Sequence, residues 1–210
     1  MLDEAAYDRA FAEIKRLIAA GDTYQVNLTF KAGFRLEGDA VALYRQLVSR
    51  QPVAYGALIH TGTHWILSRS PELFVSSRNR ELAARPMKGT APRGPTPQAD
   101  EAARLALSLD AKNRAENLMI VDLLRNDLAR IAEIGSVKVT DLFSVEAYST
   151  LHTMTSGISA RRKPGVTTTQ LLENLFPCGS ITGAPKLRAM EIIQALEAGP
   201  RGVYTGSIGH

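Results

Sequence analysis

The chain has 210 residues, 45% hydrophobic and 22% charged, a balance that supports one sizeable buried core and fits one domain better than two. Its apolar runs fall well short of a membrane span and its N-terminus lacks a basic segment followed by an apolar one, which predicts a cytoplasmic protein. One cysteine, Cys178, rules out an internal disulfide; four scattered histidines show no zinc spacing, and the formal charge of +4 is spread along the chain without a platform for nucleic acid.

In chain order, periodicity predicts an amphipathic helix over about residues 3–20, ending at Gly21, with Phe11, Ile14, Leu17 and Ile18 as its apolar stripe. Alternation and β-branched content predict strands at about 23–34, 53–60, 64–69, 72–77, 80–84, 136–145 and 148–159, with a short helix near 39–49. Ala91 to Pro97 reads as a loop, followed by helices at about 98–109 and 111–132. A second loop, Arg161 to Gly165, precedes a helix near 167–174. The last helix starts around Pro185, which suits a first helical position, and Leu187, Met190, Ile193 and Leu196 supply its apolar face. Neighbouring strands joined by short turns indicate antiparallel pairing, so the expected class is α+β.

The most informative stretch runs from Ser180 to Glu191, where a glycine-rich turn meets a helix start. Unpaired N–H groups and the positive end of the helix dipole make such a junction a seat for carboxylate or phosphate, or simply an ordinary capped helix. A Walker phosphate loop is excluded, because Ala184 stands where that motif needs glycine. Glu116 shares a helical stripe with Ile120, Leu123 and Asp127, an unusual place for a carboxylate without a cation, a salt bridge or exposure at the helix start. Lys88 sits in what reads as a tight Pro-Met-Lys-Gly-Thr turn, with Arg85 and Arg93 close in sequence. It is either a solvated surface lysine or an amine whose pKa such cations lower. His152 lies on an alternating strand, as a hydrogen-bonded histidine or an acid–base group. Cys178 reads as a small core or turn residue, and Glu72, in Ser-Pro-Glu, as structural.

Five blocks then carry a resemblance. Phe176 to Lys186 (FPCGSITGAPK) resembles the signature of the chorismate-binding enzymes, and four more blocks stand in that family's order: Gly21 to Thr29, Ser70 to Phe74, Arg85 to Thr90, and Ala115 to Leu128. The resemblance extends from about residue 5 to the last residue. It implies a pair of large antiparallel sheets packed as a sandwich, with helices outside and the site to one side.

The resemblance also implies roles. Glu116 is expected to hold the Mg²⁺ that anchors the substrate's ring carboxylate, although some relatives carry an acidic residue where this chain has Asn113. The turn containing Gly179, Ser180, Thr182 and Gly183 is expected to bind chorismate, Tyr204 to contact a substrate carboxylate, and His152 to face the leaving and accepting atoms. Lys88 resembles the lysine that adds to ring carbon C2 in the aminodeoxychorismate branch, whereas the anthranilate branch usually has alanine there. Gln25 stands where water-adding members tend to have a lysine base, and glutamine cannot act as one, so the chain resembles an amine-transferring member. Ammonia is expected from a separate glutamine amidotransferase subunit, since no amidotransferase nucleophile motif is present. Nucleic acid and membrane are not expected partners.

The family continues past the Gly206 to Gly209 block with further strands and an acidic helix that completes the metal site, so residues 1–210 read as a catalytic domain lacking its C-terminal part. The anthranilate branch and a non-catalytic family fragment stand as alternatives.

Overall fold

The computed structural model describes residues 3–210. Asp3 caps the first helix, α1 (Glu4–Ala19), by accepting from the Ala6 amide, and Gly21 releases the chain at φ 80°. Strand β1 (Gln25–Val26) follows, then α2 (Ala40–Arg50) under an Asp39 cap. A hairpin of β2 (Tyr55–His60) and β3 (Trp65–Ser70) leads to β4 (Leu73–Arg78) and β5 (Glu81–Arg85). Asn79 and Arg80 turn that second hairpin, both with left-handed backbone. Next come β6 (Met87–Pro92), α3 (Pro97–Leu109) with Thr96 as cap, and the long α4 (Ala111–Ile131) capped by Asp110. Strands β7 (Lys138–Ala147) and β8 (Leu151–Arg161) precede α5 (Thr168–Leu175), whose Thr167 and Gln170 form a capping box. A 3₁₀ turn at Gly179–Ile181, the short β9 (Gly183–Ala184) and α6 (Lys186–Leu196) complete the elements.

All strand pairs are antiparallel, as the α+β expectation requires. The main sheet has five strands around β8, which pairs with β5, β6 and β7; β2–β3 and β1–β9 form two-stranded sheets. One face of β8 packs against α4, where Ile120, Leu124, Leu128, Ile158 and Leu175 are almost wholly buried. Full burial of a side chain of this size contributes about 1.5–3 kcal/mol, so α4 is the element that holds the sheet and α5 together. A smaller cluster of Ile14, Leu17 and Ile192 joins α1 to α6 beside Val26 and Leu28 of the β1 region.

Four expectations are corrected. The strand predicted over 23–34 is a ladder only at Gln25–Val26, because β9 offers only Gly183 and Ala184 as partners. Its chain leaves the ladder at Asn27, whose amide donates to the Thr182 carbonyl at 2.8 Å. The predicted loop after residue 90 is partly strand: β6 carries Lys88 and ends at Pro92, and it tolerates proline because it pairs only with β8 and is bulged between Met87 and Thr90. On α1 the buried stripe is Ala10, Ile14 and Leu17, while Phe11 is exposed and stacks on Tyr7. On α6 the helix begins after Pro185, and Ala189, Ile192 and Ile193 are buried rather than Leu187 and Met190, since the face toward α1 is rotated from the predicted one.

Candidate active site

Strand alternation aims Lys88. Its neighbour Met87 pairs with Thr155 and lines, with Arg85 and Glu146, a pocket of about 200 Å³ on one side of the sheet. Lys88 points to the other side. There its Nζ donates to the Ser180 carbonyl at 2.6 Å and to Asn27 Oδ1 at 3.2 Å, so β6, the β1 segment and the 178–184 turn meet on one amine. Gly89, at φ 90°, lets β6 run against α4; a Cβ there would lie 2.9 Å from the Asn113 side chain.

Glu72 reaches the same turn. The Ser180 hydroxyl donates to Glu72 Oε1 at 2.7 Å and lies 3.2 Å from Cys178 Sγ. Burial pushes the Glu72 carboxyl above its ordinary value, an effect opposed by the Ser180 hydrogen bond and the Lys88 charge. Burial likewise pulls Lys88 below its ordinary value, opposed by the negative charges of Glu72 and Glu116. The lowering was expected from Arg85 and Arg93, and the structure corrects that cause. Arg85 is engaged by Asp141 and Glu146, and Arg93 by Asp100. Burial thus biases each of these two groups toward its neutral form. Burial also raises the Cys178 thiol, which leaves it a packed turn residue.

Glu116 stands near the start of α4, about a third exposed, with Lys112 Nζ at 3.8 Å. Among the described residues no three His, Cys, Asp or Glu side chains gather to hold a metal. Mg²⁺ commonly keeps several waters and takes only one or two protein carboxylates, and the partly exposed Glu116 carboxylate is chemically suited to be one such ligand.

The remaining predicted residues have different surroundings. His152, nearly fully buried, sets its Nε2 2.9 Å from Asp100 Oδ1 of α3. Two hydrogen bonds from Arg93 are the chief cause that keeps Asp100 far below the ordinary carboxylate range. Nε2 therefore donates, and Nδ1 is left buried without a partner among the described residues. Thr182, also buried, donates its hydroxyl to the Cys178 carbonyl at 3.0 Å within the turn. Tyr204 is more than half exposed beyond α6. Gly179 and Gly183 serve close packing: a Cβ would fall 2.2 Å from Leu123 Cδ2 and 2.1 Å from the Gln25 carbonyl oxygen, respectively. Gln25 keeps its Oε1 buried and without a partner among the described residues.

A buried ion pair fixes the turn from behind. Lys186 Nζ lies 2.5 Å from Asp127 Oδ2 of α4 as an ion pair and donates to the carbonyls of Leu175 and Pro177 at 3.2 and 3.1 Å. Glu72, Asn27 and this pair were missed as site residues in the sequence. Each acts through a partner far along the chain, 108 residues away in the case of Glu72 and Ser180, and no local spacing signals that.

Known proteins resemble this chain along its whole length. The family model for chorismate binding enzyme matches residues 1–210. The chain is 44% identical over 209 residues to aminodeoxychorismate synthase of Streptomyces griseus, covering 99% of this chain and 29% of that protein. It is 44% identical over 204 residues to aminodeoxychorismate synthase component 1 of Escherichia coli strain K12, covering 97% of this chain and 45% of that one. The crystal structure of anthranilate synthase component I from Streptococcus pneumoniae TIGR4 superposes with a TM-score of 0.90 at 33% identity, over 99% of this chain and 46% of the other. The chain thus spans less than half the length of each of these relatives. Since the family model takes in every position from 1 to 210, the Lys88 site lies within a matched domain, and the chain belongs to the chorismate-binding enzymes.

Proposed function

We propose that this chain is the chorismate-binding part of an aminodeoxychorismate synthase, which converts chorismate and ammonia to 4-amino-4-deoxychorismate, the precursor of p-aminobenzoate for folate synthesis. The observation that carries this reading is the half-buried Lys88 amine, held between Ser180 and Asn27 and biased toward its neutral form. The names of the relatives at 44% identity support it.

In this reading Lys88 Nζ bonds to ring carbon C2, the two ring double bonds each shift by one position, and the C4 hydroxyl departs as water. The proton that Lys88 sheds replaces the one the hydroxyl takes up, and Glu72, which accepts from Ser180 and is biased toward its protonated form, is the carrier this reading assigns. Ammonia then bonds to C4, the double bonds return, and the Lys88 amine is released from C2. The net change is loss of water and gain of ammonia, with no redox step. Ser180 and Asn27 orient the lysine, while Gly179, Thr182, Gly183 and Tyr204 are the substrate contacts this reading assigns. His152 is the further acid–base candidate, with a free Nδ1 on a ring oriented by Asp100. Mg²⁺ on Glu116 would neutralise the ring carboxylate of chorismate. The ammonia source is a glutamine amidotransferase subunit. No helix among the described residues is long and apolar enough to cross a membrane.

The test is product analysis of the intact protein with chorismate, MgCl₂ and an ammonium salt. 4-Amino-4-deoxychorismate is the expected product. Anthranilate with pyruvate, or no turnover of chorismate, overturns the reading.

A further inference from the structure

Lys88 is held by two chain segments, Asn27 just after β1 and Ser180 from the 178–184 turn, which are 153 positions apart in sequence. The ladder between them is short: β1 and β9 pair at only two positions, with flanking bonds from the amides of Tyr24 and Asn27 to the carbonyls of Ala184 and Thr182. So short a pairing does not fix the separation of its ends strongly.

One side chain bridges the gap. Arg201, just beyond α6, donates through one terminal nitrogen to the Ile181 carbonyl at 2.7 Å and through the other to the Asn27 carbonyl, also at 2.7 Å. These carbonyls belong to Asn27 itself and to the residue after Ser180. The guanidinium is held in turn by Glu197, which receives its Nε and Nη2 hydrogens and whose Oε1 also accepts from the Thr29 amide and hydroxyl at 2.9 Å. Both side chains are largely buried, 14% and 6% exposed. A planar fork with five donors meets these divergent acceptors at once; a single ammonium does not.

We infer that Arg201, oriented by Glu197, is a positioning residue for Lys88: it fixes the distance between the two segments that hold the amine, without itself touching the reacting atoms. The role in turnover rests on the functional reading above, whereas the effect on Lys88 does not. The inference predicts that Arg201→Lys, which keeps the charge but loses the fork, leaves the fold in place and loosens Lys88.

The experiment uses the intact protein, with circular dichroism and melting as controls. Two readouts are taken: steady-state formation of 4-amino-4-deoxychorismate with ammonium as nitrogen source, and the pH profile of Lys88 labelling by acetic anhydride without chorismate, followed by mass spectrometry. For Arg201→Lys, kcat is expected to fall about tenfold or more with KM for chorismate within about threefold, the signature of lost transition-state positioning. The Lys88 labelling profile is expected to move to higher pH as its walls part and solvent enters, because burial is what holds the amine below its ordinary value. If Arg201→Lys does not fold, Glu197→Gln serves instead: it is isosteric, and about a threefold loss of kcat is expected at constant KM. Unchanged Lys88 labelling in a folded variant, or a rise in KM with kcat intact, overturns the positioning role. If wild type makes no 4-amino-4-deoxychorismate, the functional reading falls, and the labelling arm still decides whether Arg201 sets the surroundings of Lys88.

Discussion

The Lys88 ammonium donates to the backbone carbonyl of Ser180 at 2.6 Å, and that single contact joins an edge strand of the main sheet to the glycine-rich turn ahead of α6. A backbone carbonyl accepts from the amine without pairing its charge, so the lysine is oriented and desolvated without being fixed as a cation. If Lys88 is the covalent nucleophile, Lys88→Ala lowers formation of 4-amino-4-deoxychorismate by roughly two orders of magnitude or more, while chorismate binding stays within about tenfold. Titration calorimetry for binding and product chromatography for turnover check this, and unchanged turnover with ammonia sinks the role.

Glu72→Gln separates stability from activity. The folded-state pKa of Glu72 is raised, so the folded protein holds that proton more tightly than the unfolded chain does. The resulting stability is fully present below the ordinary carboxylate value and is lost as pH rises through the folded value. Glutamine does not titrate, so the variant's stability relative to wild type is expected to increase from pH 4 to pH 7.5 in urea unfolding, while turnover falls. Removing this carboxylate also takes away the first of the charges that raise the Lys88 pKa, so the labelling profile of Lys88 is expected to move to lower pH. A profile that moves to higher pH refutes the placement of the two charges.

Lys186→Met strands Asp127, which is nearly fully buried. Breaking one side of a buried pair costs about 3–5 kcal/mol, because the remaining charge is left uncompensated. Denaturant unfolding is expected to show a loss of that order. The double variant with Asp127→Asn recovers part of it, and a double variant as unstable as the single one shows that packing rather than charge dominates.

Gly183→Ala places a methyl group 2.1 Å from the Gln25 carbonyl oxygen, far inside contact distance, with backbone rather than a mobile side chain as the obstacle. Parting β1 from β9 is the expected relief. Faster amide exchange at Asn27, whose hydrogen bond to Thr182 extends this ladder, is the measurement; exchange at the wild-type rate rules out a steric role for the glycine.

The sequence by itself determined the helices and most of the strands, because caps and periodicity are local: Thr96, Asp110 and Thr167 each announce a helix within a few residues. It also determined the family, since five ordered blocks survive as words, and with them Lys88, Glu116 and the 179–184 turn as candidates. It did not determine which faces those elements bury. Phe11 and Leu187 lie outside although their apolar character placed them inside, because burial depends on which stripe a neighbouring helix presents. The surroundings of Lys88 were likewise beyond it: nearby arginines suggested a cationic setting, and folding instead brought Glu72 and Glu116 to bear on the amine. Glu72, Asn27 and Arg201 became visible only in three dimensions, since hydrogen bonds between side chains and carbonyls distant in the chain leave no periodic trace. Local order follows from short-range sterics and hydrogen bonding, whereas the chemistry of the site depends on desolvation and charge, which only the packed chain sets.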